Sequence, residues 1–157
     1  MAHSREGIFI SQQKYVMDLL SEAGLQGCKA AEIPIDPNHK QREAMEDDMI
    51  DKEAYQMLVG KLIHLAYTQP DIAYAVGIVN QFMHNPMKPH LKAVYRILHY
   101  LKGTLGKGIL FKKGEAMLLE TYTNVDYAGS VVDRRSTSDY YTLLGGNLVT
   151  WRSKKMC

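Results

Sequence analysis

The chain has 157 residues, of which 46% are hydrophobic and 23% are charged, and these shares are typical of a globular protein and exclude a disordered tail. The formal net charge of +2 is too small to indicate a partner, and two cysteines, Cys28 and Cys157, are too few for a disulfide framework. The six histidines lack the spacing of metal ligands, which argues against a zinc site. The sequence has neither the apolar core of a signal peptide nor roughly 20 consecutive apolar residues. It therefore predicts an intracellular protein, cytoplasmic or nuclear, with no membrane partner.

The first predicted elements are a strand and a helix. Residues 7–10 form a short apolar run typical of a strand, and Ser11 is placed to cap a helix whose apolar positions recur at helical spacing until Gly24. The chain then turns extended around Pro34. The acidic residues 38–49 have little to bury, which predicts an exposed linker.

Three helices are predicted next: one over about residues 51–67, one that begins at Pro70, and one that begins after Pro89 and closes at Gly103. Each has one apolar stripe, and the connections between them are short. This combination predicts a small antiparallel three-helix bundle.

The hydrophobic period changes from 3.6 to 2 at Gly108. Strands are predicted over residues 109–111, 117–123, 139–144 and 148–152, with turns at 113–115 and 145–147. The expected result is an antiparallel meander of three or four strands with no later helix to cover its second face.

Five stretches follow one another in the order of a family pattern: GIFISQQKYV (7–16), YQMLVGKL (55–62), PDIAYAV (70–76), HLKAVYRILHYLKG (90–103) and YTNVDYAG (122–129), the last followed by DRRSTS (133–138) and VTW (149–151). Together they resemble the copia-type Pol polyprotein of LTR retrotransposons, from the end of the reverse transcriptase into the start of the RNase H.

The resemblance implies an α+β fold, in which a small thumb- or connection-like three-helix bundle precedes an incomplete antiparallel RNase H-like sheet. It divides the chain into four segments. Residues 1–37 would be the end of the palm and the first helix, 38–50 an acidic linker, 51–105 the helix bundle, and 106–157 the truncated sheet.

The same resemblance implies that neither enzyme of the polyprotein is intact. The polymerase aspartates would lie upstream of this chain, and it has no YxDD pattern. The first RNase H carboxylate would stand at Asn124, an amide that binds divalent metal far less well, and neighbouring Asp126 has no metal role in the pattern. The other acidic ligands would lie beyond Cys157. We expect no enzyme activity, no metal site and no cofactor, since Mg²⁺ is expected only in an intact family member.

Two other departures from the family pattern follow Asn124 in the sequence. Asp139 replaces a glycine within a strand, and Tyr127 replaces a tryptophan. Met1 resembles a start codon opened inside an older frame. These observations predict a retroelement relic that drifts under weak constraint.

The remaining candidate site is basic. Residues 88–113 contain seven lysines or arginines and no acid. Within them, one arc of about 80° on the helix beside the apolar stripe holds a set of basic side chains, Lys88, Lys92, Arg96 and His99. Arg134 and Arg135, with Lys154 and Lys155, would extend this surface. The resemblance implies contact with a nucleic-acid duplex, either an RNA–DNA hybrid or DNA, and the alternative is that these residues only solubilise the helices.

Tyrosines are the last group considered. Six of them could stack on bases: Tyr95, Tyr100, Tyr122, Tyr127, Tyr140 and Tyr141. The sequence shows no exposed platform for such stacking, so packing in the core and across strands is favoured.

Three functions therefore compete. The first is an inactive Pol fragment with residual binding to nucleic acid. The second is an interaction module whose uncovered sheet pairs with itself or with a partner chain. The third is an RNA–DNA hybrid nuclease completed by a partner that supplies the missing acids.

Overall fold

The computed structural model describes residues 1–36, 50–114, 118–126 and 137–155. The described elements, in chain order, are β1 (Ala2–His3), β2 (Gly7–Ile10), α1 (Gln13–Glu22), α2 (Lys52–Ala66), a 3₁₀ turn (Pro70–Ile72), α3 (Ala73–Asn80), α4 (Lys88–Gly103), β3 (Ile109–Lys112), β4 (Leu119–Asp126), β5 (Thr137–Leu144) and β6 (Asn147–Lys155). The predicted linker over residues 38–49 lies outside the described residues. None of the described helices is long and apolar enough to cross a membrane.

The predicted helices are confirmed, with differences at their ends. Ser11 is not the N-cap of α1, because that position belongs to Gln12, which makes no side-chain capping bond. Gly24 does end α1 as predicted, since it adopts a φ of 69° and its N–H donates to the carbonyl of Ser21. The third predicted helix begins two residues earlier than expected, at Lys88, with Pro89 inside its first turn.

The hydrophobic core is built by the helices. The fully buried apolar side chains among the described residues come from α1, the 3₁₀ turn, α2, α3 and α4, whereas the strands contribute half-buried ones. At its centre Tyr55 of α2 is 0% exposed and donates its hydroxyl to the carbonyl of Val79 at 2.6 Å. Burial raises the pKa of Tyr55 above its ordinary value. The hydrogen bond therefore satisfies a neutral hydroxyl within the core.

The strands form two sheets rather than one meander. β1, β2 and β3 form an antiparallel sheet in which Ile10 lies opposite Ile109, while β4, β5 and β6 form a second antiparallel sheet. The prediction that residues 109–111 begin the meander is therefore wrong. Glycines explain the alternative pairing, because a Cβ at Gly108 would stand 2.1 Å from the carbonyl oxygen of Ile10, and one at Gly7 would stand 2.0 Å from that of Phe111.

The second sheet is not wholly uncovered, which corrects the expectation drawn from the lack of a later helix. β6 packs against the earlier helix α3, where a Cβ at Gly77 would approach the carbonyl oxygen of Ser153 to 3.2 Å. The indole Nε1 of Trp151 donates to the carbonyl of Ala66, at the end of α2, at 2.7 Å. An α+β architecture of helices and two sheets is therefore present, and its description as RNase H-like stays a prediction.

Candidate nucleic-acid interface

The exposed part of the basic surface lies on the first half of α4. The apolar positions of this helix point into the core, where Val94 and Leu98 are fully buried, and this orientation turns Lys88 and Lys92 outward to solvent. Residues 88–113 contain seven lysines or arginines and no acid, so this stretch of sequence is uniformly basic.

The second half of the predicted stripe is less accessible. Arg96 and His99 are both half-buried, and the Nε of Arg96 and the Nε2 of His99 are buried without a hydrogen-bond partner. A segment of the chain before the linker covers this end, because the N–H of Ala31 donates to the carbonyl of His99. A Cβ at Gly103 would meet the Cβ of Ala30 at 3.1 Å.

Lys102 belongs to this covered end of α4. Its Nζ donates to the carbonyl oxygens of Gln26 and Cys28, which anchors the segment that follows α1. The sequence offered no sign of this contact, because its partners lie more than 70 residues away along the chain. Further exposed lysines follow α4 instead: Lys107, Lys112 and Lys113.

The first turn of α4 holds an uncharged histidine. His90 stacks on Phe82 with ring centroids 3.7 Å apart, and its Nδ1 accepts a hydrogen bond from the N–H of Met87 at 3.0 Å. Burial lowers the pKa of His90. His90 therefore adds no positive charge to the start of this helix.

Several predicted site residues cannot be placed. Arg134 and Arg135 lie outside the described residues, and so do the side chains of Asp126, Lys154 and Lys155. Their part in a basic surface stays a prediction.

Asn124 is exposed in β4, and its partner in the register is Asp139 of β5. Asn124 and Asp139, two of the departures from the family pattern, are thus direct cross-strand neighbours. The row continues into β6, where Ser153 lies opposite Asp139. Side chains that are opposite one another in an antiparallel sheet have Cβ atoms about 5 Å apart, so these three residues share one face.

That face also carries a row of aromatic residues. Tyr122, Tyr141 and Trp151 lie opposite one another on the three strands, and the rings of the two tyrosines stack with centroids 4.9 Å apart. Between this face and the start of α3 lies a cleft of about 480 Å³, whose lining includes Tyr74, Asp139, Tyr141 and Trp151.

Known proteins that resemble the chain share one description. It is 40% identical to the retrovirus-related Pol polyprotein from transposon RE1 of Arabidopsis thaliana over 95% of its length, and 37% identical to that from transposon RE2 of the same plant over 96%. It is 34% identical to the retrovirus-related Pol polyprotein from transposon TNT 1-94 of Nicotiana tabacum over 94%.

The chain belongs to the copia-type, retrovirus-related Pol polyproteins of transposons. This confirms the family suggested by the five sequence stretches. The Pol segment spans about a tenth of the length of these relatives, 10% of the RE1 and RE2 polyproteins and 12% of the TNT 1-94 polyprotein. No family model and no solved structure matches it.

The described residues of the Pol segment do not fit the metal ions that an intact RNase H would hold. Asn124 and Asp139 together supply one negative charge, and one oxygen of that carboxylate, Oδ1, is buried without a hydrogen-bond partner. Over the described part of the chain, no three His, Cys, Asp or Glu side chains come together as metal ligands.

Proposed function

We propose that this Pol segment binds the phosphate backbone of a nucleic-acid duplex through the exposed lysines of α4 and performs no catalysis of its own. The observation that carries the proposal is the outward orientation of Lys88 and Lys92 on a helix with no acidic residue. Lysines presented along a rigid helix suit successive phosphates, whose neutralisation releases counterions.

The absence of catalysis is proposed from the residue at position 124. In the family pattern the first RNase H carboxylate would stand there, and this chain has the neutral amide of Asn124. A two-metal mechanism relies on several carboxylates to hold closely spaced cations. The opposite residue, Asp139, adds one carboxylate only.

The binding test measures affinity for an RNA–DNA hybrid as salt is raised. We expect the double variant Lys88→Gln/Lys92→Gln to bind more weakly at low salt, with a log–log salt slope that is shallower by about 2. The matched control, Lys14→Gln/Lys52→Gln, removes two charges that are also exposed, from α1 and α2, and we expect it to keep most of the slope.

Two results would contradict the proposal. Equal losses in both double variants would mean that net charge, rather than the α4 surface, governs binding. Release of labelled RNA fragments from the hybrid by the purified chain in Mg²⁺ would show that it is a nuclease after all.

A further inference from the structure

We propose that the cleft between the start of α3 and the β5–β6 hairpin binds unpaired bases of a single-stranded nucleic acid. This inference goes beyond duplex binding and does not rest on it. The cleft lies between α3 and the second sheet, whereas α4, which carries Lys88 and Lys92, packs on the other helices and contributes no residue to the lining. The ligand is a strand whose bases are free, since bases in a duplex are already stacked and paired.

The size and walls of the cleft suit a planar organic group. Its volume of about 480 Å³ falls within the range of small-ligand pockets. One wall is formed by Pro70, Ala73 and Tyr74, and the other by side chains of β5 and β6. Leu143 and Leu148 add apolar surface to the lining.

Three aromatic rings provide stacking surfaces. Trp151 is held in place by its hydrogen bond to Ala66, while Tyr74 and Tyr141 of the lining are 42% and 44% exposed. Tyr141 stacks on Tyr122, which is 45% exposed, so the aromatic surface continues from the cleft onto β4. Base–aromatic stacking is the main source of affinity in proteins that bind single strands without sequence preference.

One cationic group in the lining complements a nucleotide. Arg152, an exposed residue of β6, lines the cleft and suits a phosphate. The unpartnered Oδ1 of Asp139 is buried, so the aromatic rings and Arg152 are the groups that a bound strand would contact.

The test uses Trp151, the single tryptophan of the chain, as a reporter inside the cleft. We expect saturable quenching of its fluorescence when single-stranded decamers of dA, dC or dT are added to the full chain, because stacking on aromatic rings does not require a particular base. Tyr141→Leu keeps an apolar side chain but removes the stacking face, and it should weaken binding on the order of tenfold. Tyr141→Phe keeps the ring and should bind within about twofold of the wild type.

Controls separate the cleft from other surfaces. Tyr67→Ala removes a tyrosine that is 72% exposed and outside the lining, so quenching should be unchanged. Lys88→Gln/Lys92→Gln should retain the quenching even where it abolishes duplex binding, so that either proposal can fail alone. Far-UV circular dichroism establishes that each variant is folded.

Three outcomes would overturn the proposal. The first is no saturable quenching by any decamer at low salt. The second is identical binding by Tyr141→Leu and Tyr141→Phe, which would mean that apolar contact rather than stacking matters. The third is sedimentation of the unliganded chain as a dimer in which Trp151 is shielded, which would make a second copy the occupant.

Discussion

Asn124 and Asp139 form one unit in this chain, although the sequence presents them as separate departures from the copia pattern. They lie directly opposite each other in β4 and β5. Two carboxylates in these positions would repel each other, whereas an amide beside a carboxylate does not. A neutral residue at position 124 is therefore the physical complement of an acid at position 139.

This pairing predicts the result of restoring the acid. Asn124→Asp should lower the free energy of unfolding by about 0.5 kcal/mol, because like charges would face each other across the strands. In the background of Asp139→Asn the same change should cost nearly nothing. Urea unfolding of the four proteins gives the coupling energy, and strictly additive effects would contradict direct contact.

The sequence of helix α4 predicts the burial of some of its residues but not of others. The spacing of its apolar residues correctly predicts a buried stripe and outward lysines in the first half. The same spacing could not predict that the segment after α1 packs against the end of α4 at His99 and Lys102, since that contact depends on residues far away in the chain. The exposed half of the candidate site was thus predictable, and the covered half was not.

The start of α4 should make stability depend on pH. His90 accepts the N–H of Met87 through Nδ1, which only the neutral ring can do, and burial lowers its pKa in the folded state. A histidine whose folded pKa is lowered stabilises the fold above its unfolded value of about 6.5, and this contribution is lost as pH falls through the lowered pKa. The partial positive charge at the N-terminus of the helix also disfavours the protonated form of the His90 ring.

The free energy of unfolding, measured by heat or urea at about pH 7.5 to 5, would show this effect, because that range spans the ordinary pKa of histidine. We expect His90→Gln to flatten the decline seen in the wild-type protein. His84→Gln, at an exposed position four residues before Lys88, should leave the decline unchanged. A wild-type profile that is already flat over this range would refute the role given to His90.

At the scale of the whole molecule, the side chain of Asn147 links the two sheets. Asn147, at the start of β6, accepts the N–H of Lys112 through Oδ1 at 2.7 Å and donates to its carbonyl through Nδ2 at 2.8 Å. It thereby binds the edge strand β3 of the first sheet as a further backbone would. The helices and both sheets are connected through β3, β6 and Trp151.

Removing this link should loosen one sheet from the other. Asn147→Ala should reduce the free energy of unfolding by about 1 kcal/mol, since it leaves both polar groups of Lys112 to solvent. Asn147→Asp keeps the acceptor and loses the donor, so its cost should be intermediate. Hydrogen exchange at the Lys112 amide is the local measurement, and an unchanged rate in Asn147→Ala would show that the link does not hold the sheets.

The amino-acid sequence by itself determined the family, the helices and the strand-forming segments, because periodicity, caps and short motifs are local properties of the chain. Tertiary structure alone decided which strands pair, since β3 has to choose between β2, about 100 residues before it, and the nearby β4. It also brought Asn124 to Asp139, covered His99 and formed the aromatic cleft. Each of these depends on contacts between distant segments, for which a single sequence carries no periodic signal.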